Sequence, residues 1–326
     1  MKYSLDKILR KIYRKIRHVI DENRFMEIAI FQIRNNLSQE ESYITCSGKR
    51  DGAGAQTLAI MSTMLFADIM HIKYIHTPFV KLQHNYENDD DWEKKWENFF
   101  NLGKGELKIG DNRLKISREI SLSESPLKIR KQTNTLFVLR HCHDYVDMFP
   151  NKYSRINNKL VEKYYGSSKS GYDLHYEPNK VNVAVHIRRG DVRSNNQFWD
   201  RFTENSFVVN VISKILEICA SLGEELSLCV YSEGEMEDFK ELERLNPKIF
   251  LNLDPFTTFH NLVSADVLVM SKSTFSYTAA LLSKGIVFYE SFRHKPLNSW
   301  IKVNEYADFD PKVFSNKLRQ NMSKTQ

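Results

Sequence analysis

Val181-Asn182-Val183-Ala184-Val185-His186-Ile187-Arg188-Arg189-Gly190-Asp191 begins as a β-branched apolar run and ends in charge. Such a run reads as a strand buried on both faces, the pattern of a parallel sheet covered by helices. Four of the six residues from His186 to Asp191 are ionisable, which puts them at the strand's carboxyl end. Open α/β sheets bind their ligands there. Outward from this strand the alternation is regular: helix 207–220, strand 226–231, helix 235–245, strand 249–251, helix 257–263, strand 267–270, helix 275–283 and strand 286–289. Strands separated by helices of about 10–15 residues imply a parallel sheet with helices on both faces.

A second unit lies upstream: strand 43–46, a tight turn at 52–56, a helix over 57–70 with few breakers, and strand 72–75. Residues 84–133 hold the acidic loop Asp89-Asp90-Asp91, a helix-like 92–100 and a polar stretch, and read as an insertion before a strand at 135–139. The expected fold class is therefore α/β, with two halves joined in the polar stretch 167–180. No short internal repeat is present.

Composition bounds the function. Hydrophobic residues are 41% and charged residues 27% of the 326, which excludes a disordered or collagen-like chain. No apolar run approaches the roughly 18 residues of a spanning helix. The formal charge of +6 is matched by residues 1–20 alone, where seven Lys and Arg face the single acid Asp6. The remainder is neutral, so a basic body that would wrap nucleic acid is not expected. Cys46, Cys142, Cys219 and Cys229 are too scattered for a zinc cage or a disulfide framework. The N-terminus lacks a continuous apolar core and a small-residue cleavage site, and a cytoplasmic protein is the expectation.

Within residues 4–20, Leu5, Ile8, Leu9, Ile12, Ile16, Val19 and Ile20 recur at helical spacing, with Lys and Arg on the remaining arc. This basic amphipathic helix either lies on an anionic membrane surface or packs its apolar stripe on the body.

Two adjacent arginines before a glycine suit a diphosphate: guanidinium forks give bidentate bonds to phosphate oxygens, and glycine permits close approach. The alternative is a solvated loop with a surface ion pair. A second strand, 267–270, runs into Ser271-Lys272-Ser273-Thr274-Phe275-Ser276-Tyr277, a hydroxyl-rich turn opening a helix. Free donors at a helix N-terminus bind anions, or the hydroxyls simply cap the helix.

His186-Ile187-Arg188-Arg189-Gly190-Asp191 resembles the H-x-R-R-x-D signature of the superfamily of alpha-1,2/alpha-1,6-fucosyltransferases and protein O-fucosyltransferases. Ser271-Lys272-Ser273-Thr274-Phe275-Ser276-Tyr277 is similar to its late S-x-S-T-F-S-aromatic motif. Leu228-Cys229-Val230-Tyr231-Ser232-Glu233-Gly234 sits where the alpha-1,2 branch has an apolar strand ending in Ser-Asp-Asp. Gly52-Ala53-Gly54-Ala55-Gln56 resembles the family's G-R-x-G-N-Q turn. These segments span residues 52–290 in the family's order.

The resemblance implies a GT-B glycosyltransferase: two Rossmann-like domains facing a cleft, with no metal or other cofactor. Residues 1–20 would be the basic helix, 21–175 the acceptor-side domain, 176–295 the nucleotide-sugar domain, and 296–326 a segment crossing back. Carried over by motif, Arg188 would bind the donor β-phosphate, Arg189 would support the loop or the phosphate, and His186 would lie against the nucleotide. Ser273, Thr274 and Phe275 would bind diphosphate oxygens, and Gly52 and Gly54 would let the first turn approach the donor.

The chain departs from the family in three places. Ala53 and Ala55 replace Arg and Asn in the first turn, with Lys49 and Arg50 nearby. Thr258 stands where relatives carry an Asp that reads guanine, with Asp254 one turn away. Asp191 and Asp51 are the candidates for a general base, Asp191 alternatively orienting Arg188. The expected activity is metal-independent, inverting transfer of fucose from GDP-fucose to a glycan acceptor in surface-glycan synthesis. The alternatives are another GDP- or UDP-sugar, or a non-catalytic nucleotide- or glycan-binding relative. Asp89-x-Asp91 spells a metal-binding motif but follows no apolar strand, and reads as a solvated loop.

Overall fold

The computed structural model describes residues 42–48, 50–85, 87–122, 133–139, 145–192 and 198–323. The helix expected at 4–20, Lys49 and His141-Cys142-His143 lie outside them.

The first half runs β1 (Ser42–Cys46), α1 (Ala53–Met70), β2 (Lys73–His76), α2 (Trp92–Phe100), β3 (Leu107–Lys108), β4 (Arg118–Leu122), β5 (Thr135–Leu139), the single turn α3 (Tyr145–Met148) and α4 (Ser154–Tyr165). Its sheet has the order β3-β2-β1-β5-β4, and each pair is parallel. The second half runs β6 (Val181–Ile187), α5 (Asn205–Ser221), β7 (Leu226–Ser232), a 3₁₀ segment (Met236–Leu245), β8 (Lys248–Leu251), α6 (Pro255–Ser264), β9 (Val267–Met270), α7 (Thr274–Leu282), β10 (Ile286–Glu290), β11 (Ile301–Val303) and α8 (Pro311–Met322). Its six strands lie in the order β11-β10-β9-β6-β7-β8, again all parallel. The chain therefore winds outward from β6 through β7 to β8, then returns to the other side of β6 to build β9, β10 and β11. That reversal opens a crevice beyond the carboxyl ends of β6 and β9.

α1 is buried at all but two of its eighteen positions. By length and composition it would suffice to cross a bilayer, but its apolarity matches the core position it occupies, packed among β1, β2, α3, α4 and α7. One hydrophobic cluster draws on both halves, joining Leu58, Phe66 and Phe137 to Phe259, Tyr277 and Leu281. A second fills the other face of the second sheet with Val183, Val185, Val209, Ile212, Val267, Phe288 and Phe314. Cys46, Cys219 and Cys229 are buried and form no disulfide with one another.

Two expectations need correction. The turn expected at 52–56 is already helix: α1 begins at Ala53 on an extended Gly52, whose carbonyl accepts the first helical N–H bonds, from Ala55 and Gln56. The stretch after α2 is not featureless, since β3 and β4 form the two edges of the first sheet. Just before the C-terminal segment the Lys295 N–H donates to Asp147 of the first half at 2.9 Å, and within it Trp300 joins the hydrophobic cluster shared by both halves. Further on, β11 extends the second sheet beside β10, and α8 puts Phe314 and Leu318 into the second core.

Candidate functional site

β6 delivers His186, Arg188, Arg189, Gly190 and Asp191 to the crevice end of the sheet. His186 Nδ1 lies 2.9 Å from the Ser271 hydroxyl, a link across the reversal between β6 and β9. Burial, reinforced by Arg188 and Arg189, holds its pKa down to about 3, so the ring is neutral. Arg188 Nη2 donates to both carboxylate oxygens of Asp191, at 2.9 and 2.7 Å, and Nη1 reaches the Ser273 hydroxyl at 3.4 Å. Both oxygens thus grip a single guanidinium nitrogen, while Ser273 receives the other terminal one.

Arg189 turns the other way. It is 8% exposed, lies over the Phe202 ring at 4.1 Å, and donates to the carbonyls of Arg188 and Thr203 and to Asn205 Oδ1. Its hydrogen bonds brace the loop. Gly190 has φ +68, and a β-carbon there would fall 1.9 Å from Glu233 Oε2. A glycine is therefore required for the Glu233 carboxylate to lie over this turn.

On the neighbouring strand, β9 ends in the cap of α7. The Ser273 hydroxyl accepts from the Phe275 N–H at 3.2 Å while also facing Arg188. Thr274 Oγ1 accepts from Arg293 Nη2 at 2.5 Å and stands 3.3 Å from His294 Nε2. Two guanidinium groups from different loops thus end on consecutive hydroxyls at one helix N-terminus, where first-turn N–H groups have no intrahelical partner.

The first half meets this helix end-on. A β-carbon at Gly54 would lie 2.8 Å from Phe275 Cα, and the Thr278 hydroxyl donates to the Gly54 carbonyl at 2.9 Å. Gly54 is thus the contact between α1 and α7, and Gly52 lies against the His84 ring. Buried Gln56 ties the same loop down, donating to the carbonyls of Asp51 and Val80 at 3.0 Å. Asp51 is half-buried and acts electrostatically on Arg293.

The structure adds residues that sequence reasoning did not name as site residues. Glu233 follows β7 and joins Arg188 and Asp191 over Gly190; partial burial and Asp191 push its pKa up, against His84 and Arg188. The signal was its place at the end of a parallel strand. Arg293, His294 and Asp147 form a hydrogen-bonded chain, and no sequence spacing connects residues of different halves. Thr258 is half-buried on α6; among the described residues, no hydrogen bond joins it to Arg188 or Ser273. Asp254 caps α6 by accepting the Thr257 N–H at 2.8 Å.

Among the described residues no group of three or more His, Cys, Asp or Glu is arranged to hold a metal ion. Asp89 and Asp91 pair with Lys95 and Lys94 at the surface.

Neither a family model nor a curated protein matches the chain. Among solved structures, a mutant of Arabidopsis thaliana FUT1 in complex with GDP is 14% identical, with a TM-score of 0.35 over 84% of this chain and 75% of that one. The fucosyltransferase NodZ from Bradyrhizobium is 10% identical, with a TM-score of 0.31 over 76% of this chain and 94% of that one. The E. coli heptosyltransferase WaaC with ADP-2-deoxy-2-fluoro heptose is 9% identical, with a TM-score of 0.34 over 87% of this chain and 100% of that one. The functional reading rests on the crevice residues rather than on these likenesses.

Proposed function

We propose that the crevice holds the diphosphate of a nucleotide sugar and that the protein is a metal-independent, inverting glycosyltransferase. The observation that carries this reading is Arg188 clamped by Asp191 and reaching Ser273 at the N-terminus of α7, where the strand order of a parallel sheet reverses. Fixed donors at that point suit an anion that gains charge as it leaves. In the reaction the sugar C1–O bond to the β-phosphate breaks, the acceptor oxygen bonds C1 from the opposite face, and the acceptor proton passes to a carboxylate. Glu233 fits that last role, its raised pKa bringing it closer to the range where a base works. Asp191 is occupied in orienting Arg188.

The motif resemblance favours GDP-fucose as donor and a surface glycan as acceptor, and a cytoplasmic site with residues 4–20 at the membrane's inner face would suit a lipid-linked acceptor. A second donor class is favoured by Thr258, because a hydroxyl pairs poorly with the N1–H/N2–H edge of guanine; that reading is a UDP-sugar.

A thermal-shift series with GDP, UDP, GDP-fucose and UDP-sugars, each with EDTA and with Mg²⁺, tests the proposal. A ligand at about one hundred times its Kd stabilises by roughly 2.7 kcal/mol. Shifts by GDP compounds in EDTA support the fucosyltransferase reading, and shifts by UDP compounds alone replace the donor. No shift with any of them refutes the site. Stabilisation without transfer or hydrolysis of the sugar identifies a binding protein instead.

A further inference from the structure

We propose that Arg293 is a second cation for the donor diphosphate, and that Asp147 and His294 are positioning residues that hold its guanidinium at the α7 N-terminus. This rests on the diphosphate reading of the crevice.

Arg293 Nε donates to His294 Nε2 at 3.2 Å, and Nη2 donates to Thr274 Oγ1 at 2.5 Å. A guanidinium Nε always carries its hydrogen, so His294 Nε2 must accept and the imidazole proton sits on Nδ1. That nitrogen lies 2.8 Å from Asp147 Oδ2. The carboxylate is itself fixed, because Asp147 Oδ1 accepts from the Lys295 N–H at 2.9 Å and from the Tyr277 hydroxyl at 3.1 Å. Asp147 and His294 side chains are only 13% and 2% exposed. A half-buried carboxylate of the first half thus sets the tautomer of a buried imidazole of the second, and the imidazole sets the plane of an arginine.

Arg293 itself is exposed, and its Nη1 meets no acceptor among the described residues. The packing around its guanidinium, with Arg201 and Arg188 nearby, lowers its pKa, while Asp51 and Asp147 act to raise it. An arginine held through Nε and Nη2, with Nη1 left over, is arranged for an anion. The chain from Asp147 makes that arrangement depend on the contact between the halves.

The test is titration calorimetry of the full chain with GDP, UDP and ADP and with the matching monophosphates. Arg293→Ala should lower the preference of the best-bound diphosphate over its monophosphate about tenfold. His294→Ala should lower it similarly, and His294→Gln, whose Oε1 can take the place of Nε2, should keep most of it. The double variant Arg293→Ala/His294→Ala should be no worse than Arg293→Ala alone, since the imidazole acts only through the arginine. A merely structural His294 would weaken both ligands equally and add to the Arg293 effect; that result overturns the positioning role. An unchanged preference in Arg293→Ala overturns the second cation, and because Arg293 is exposed this variant does not depend on refolding a core. Arg188→Ala serves as the separate check: if it too leaves the preference unchanged, the diphosphate site itself is misplaced.

Discussion

Gly54 and Phe275 touch backbone to backbone, with room for no more than a hydrogen on the glycine: a β-carbon would lie 2.8 Å from Phe275 Cα and 3.2 Å from the Thr274 carbonyl oxygen. The neighbouring atoms are backbone and cannot swing aside. Gly54→Ala should therefore cost about 1–3 kcal/mol, the range for overpacking a tight contact. Urea denaturation measures it, and an unchanged midpoint would mean that α1 and α7 slide apart at no cost.

Arg188→Ala should lower kcat by about 10²–10³, the usual effect of removing one donor from a developing oxyanion, with little change in melting temperature. Steady-state transfer kinetics beside a melting curve decide it. Full activity in this variant would move the phosphate site elsewhere.

Glu233→Gln preserves the shape over Gly190 but removes a base. The expectation is a drop in kcat of about 10²–10⁴ with donor affinity held within about twofold. Donor binding lost in parallel with kcat would place Glu233 in nucleotide binding rather than in proton transfer.

Acid should weaken the fold. Burial and then Arg188 and Arg189 hold His186 at about 3, and burial and then Lys169 hold His260 at about 4, against about 6.5 for an ordinary imidazole. Between those values the unfolded chain binds protons that the folded chain refuses, and stability rises with pH wherever the unfolded state binds more. The contribution is fully present above about pH 6.5 and is lost as pH falls toward 4 and then 3. The urea midpoint should be lower at pH 5 than at pH 7.5, and His260→Gln should make the decline shallower. Equal midpoints at the two pH values would mean that both rings take up protons without opening the fold.

The parts of this architecture that could be read from the chain are those where one physical demand dominates. Val181–Ile187 and Val267–Met270 are largely buried, so their sequences are mostly apolar and rich in valine, and the helices between them follow. β3 and β4 were missed because edge strands keep polar residues such as Lys108 and Glu119 in solvent and lose the apolar signal. The start of α1 was misplaced because glycine at 52 and 54 reads as a turn, whereas here it answers to His84 and Phe275. Arg188 and Ser273 were legible as strand ends. What orients Arg293 was not, because it is a carboxylate 146 residues earlier in the chain, at Asp147.

The hydrophobic cluster that runs from Leu58 and Phe66 to Tyr277 and Leu281 belongs to neither half alone. Split in the 167–180 stretch, each piece would carry an oily seam where a finished module has a polar skin. Recombination therefore cannot trade these halves as cassettes. A lineage that remodels the second half for a new donor must keep the α1 surface it inherited, so this seam limits how far the two halves can diverge independently.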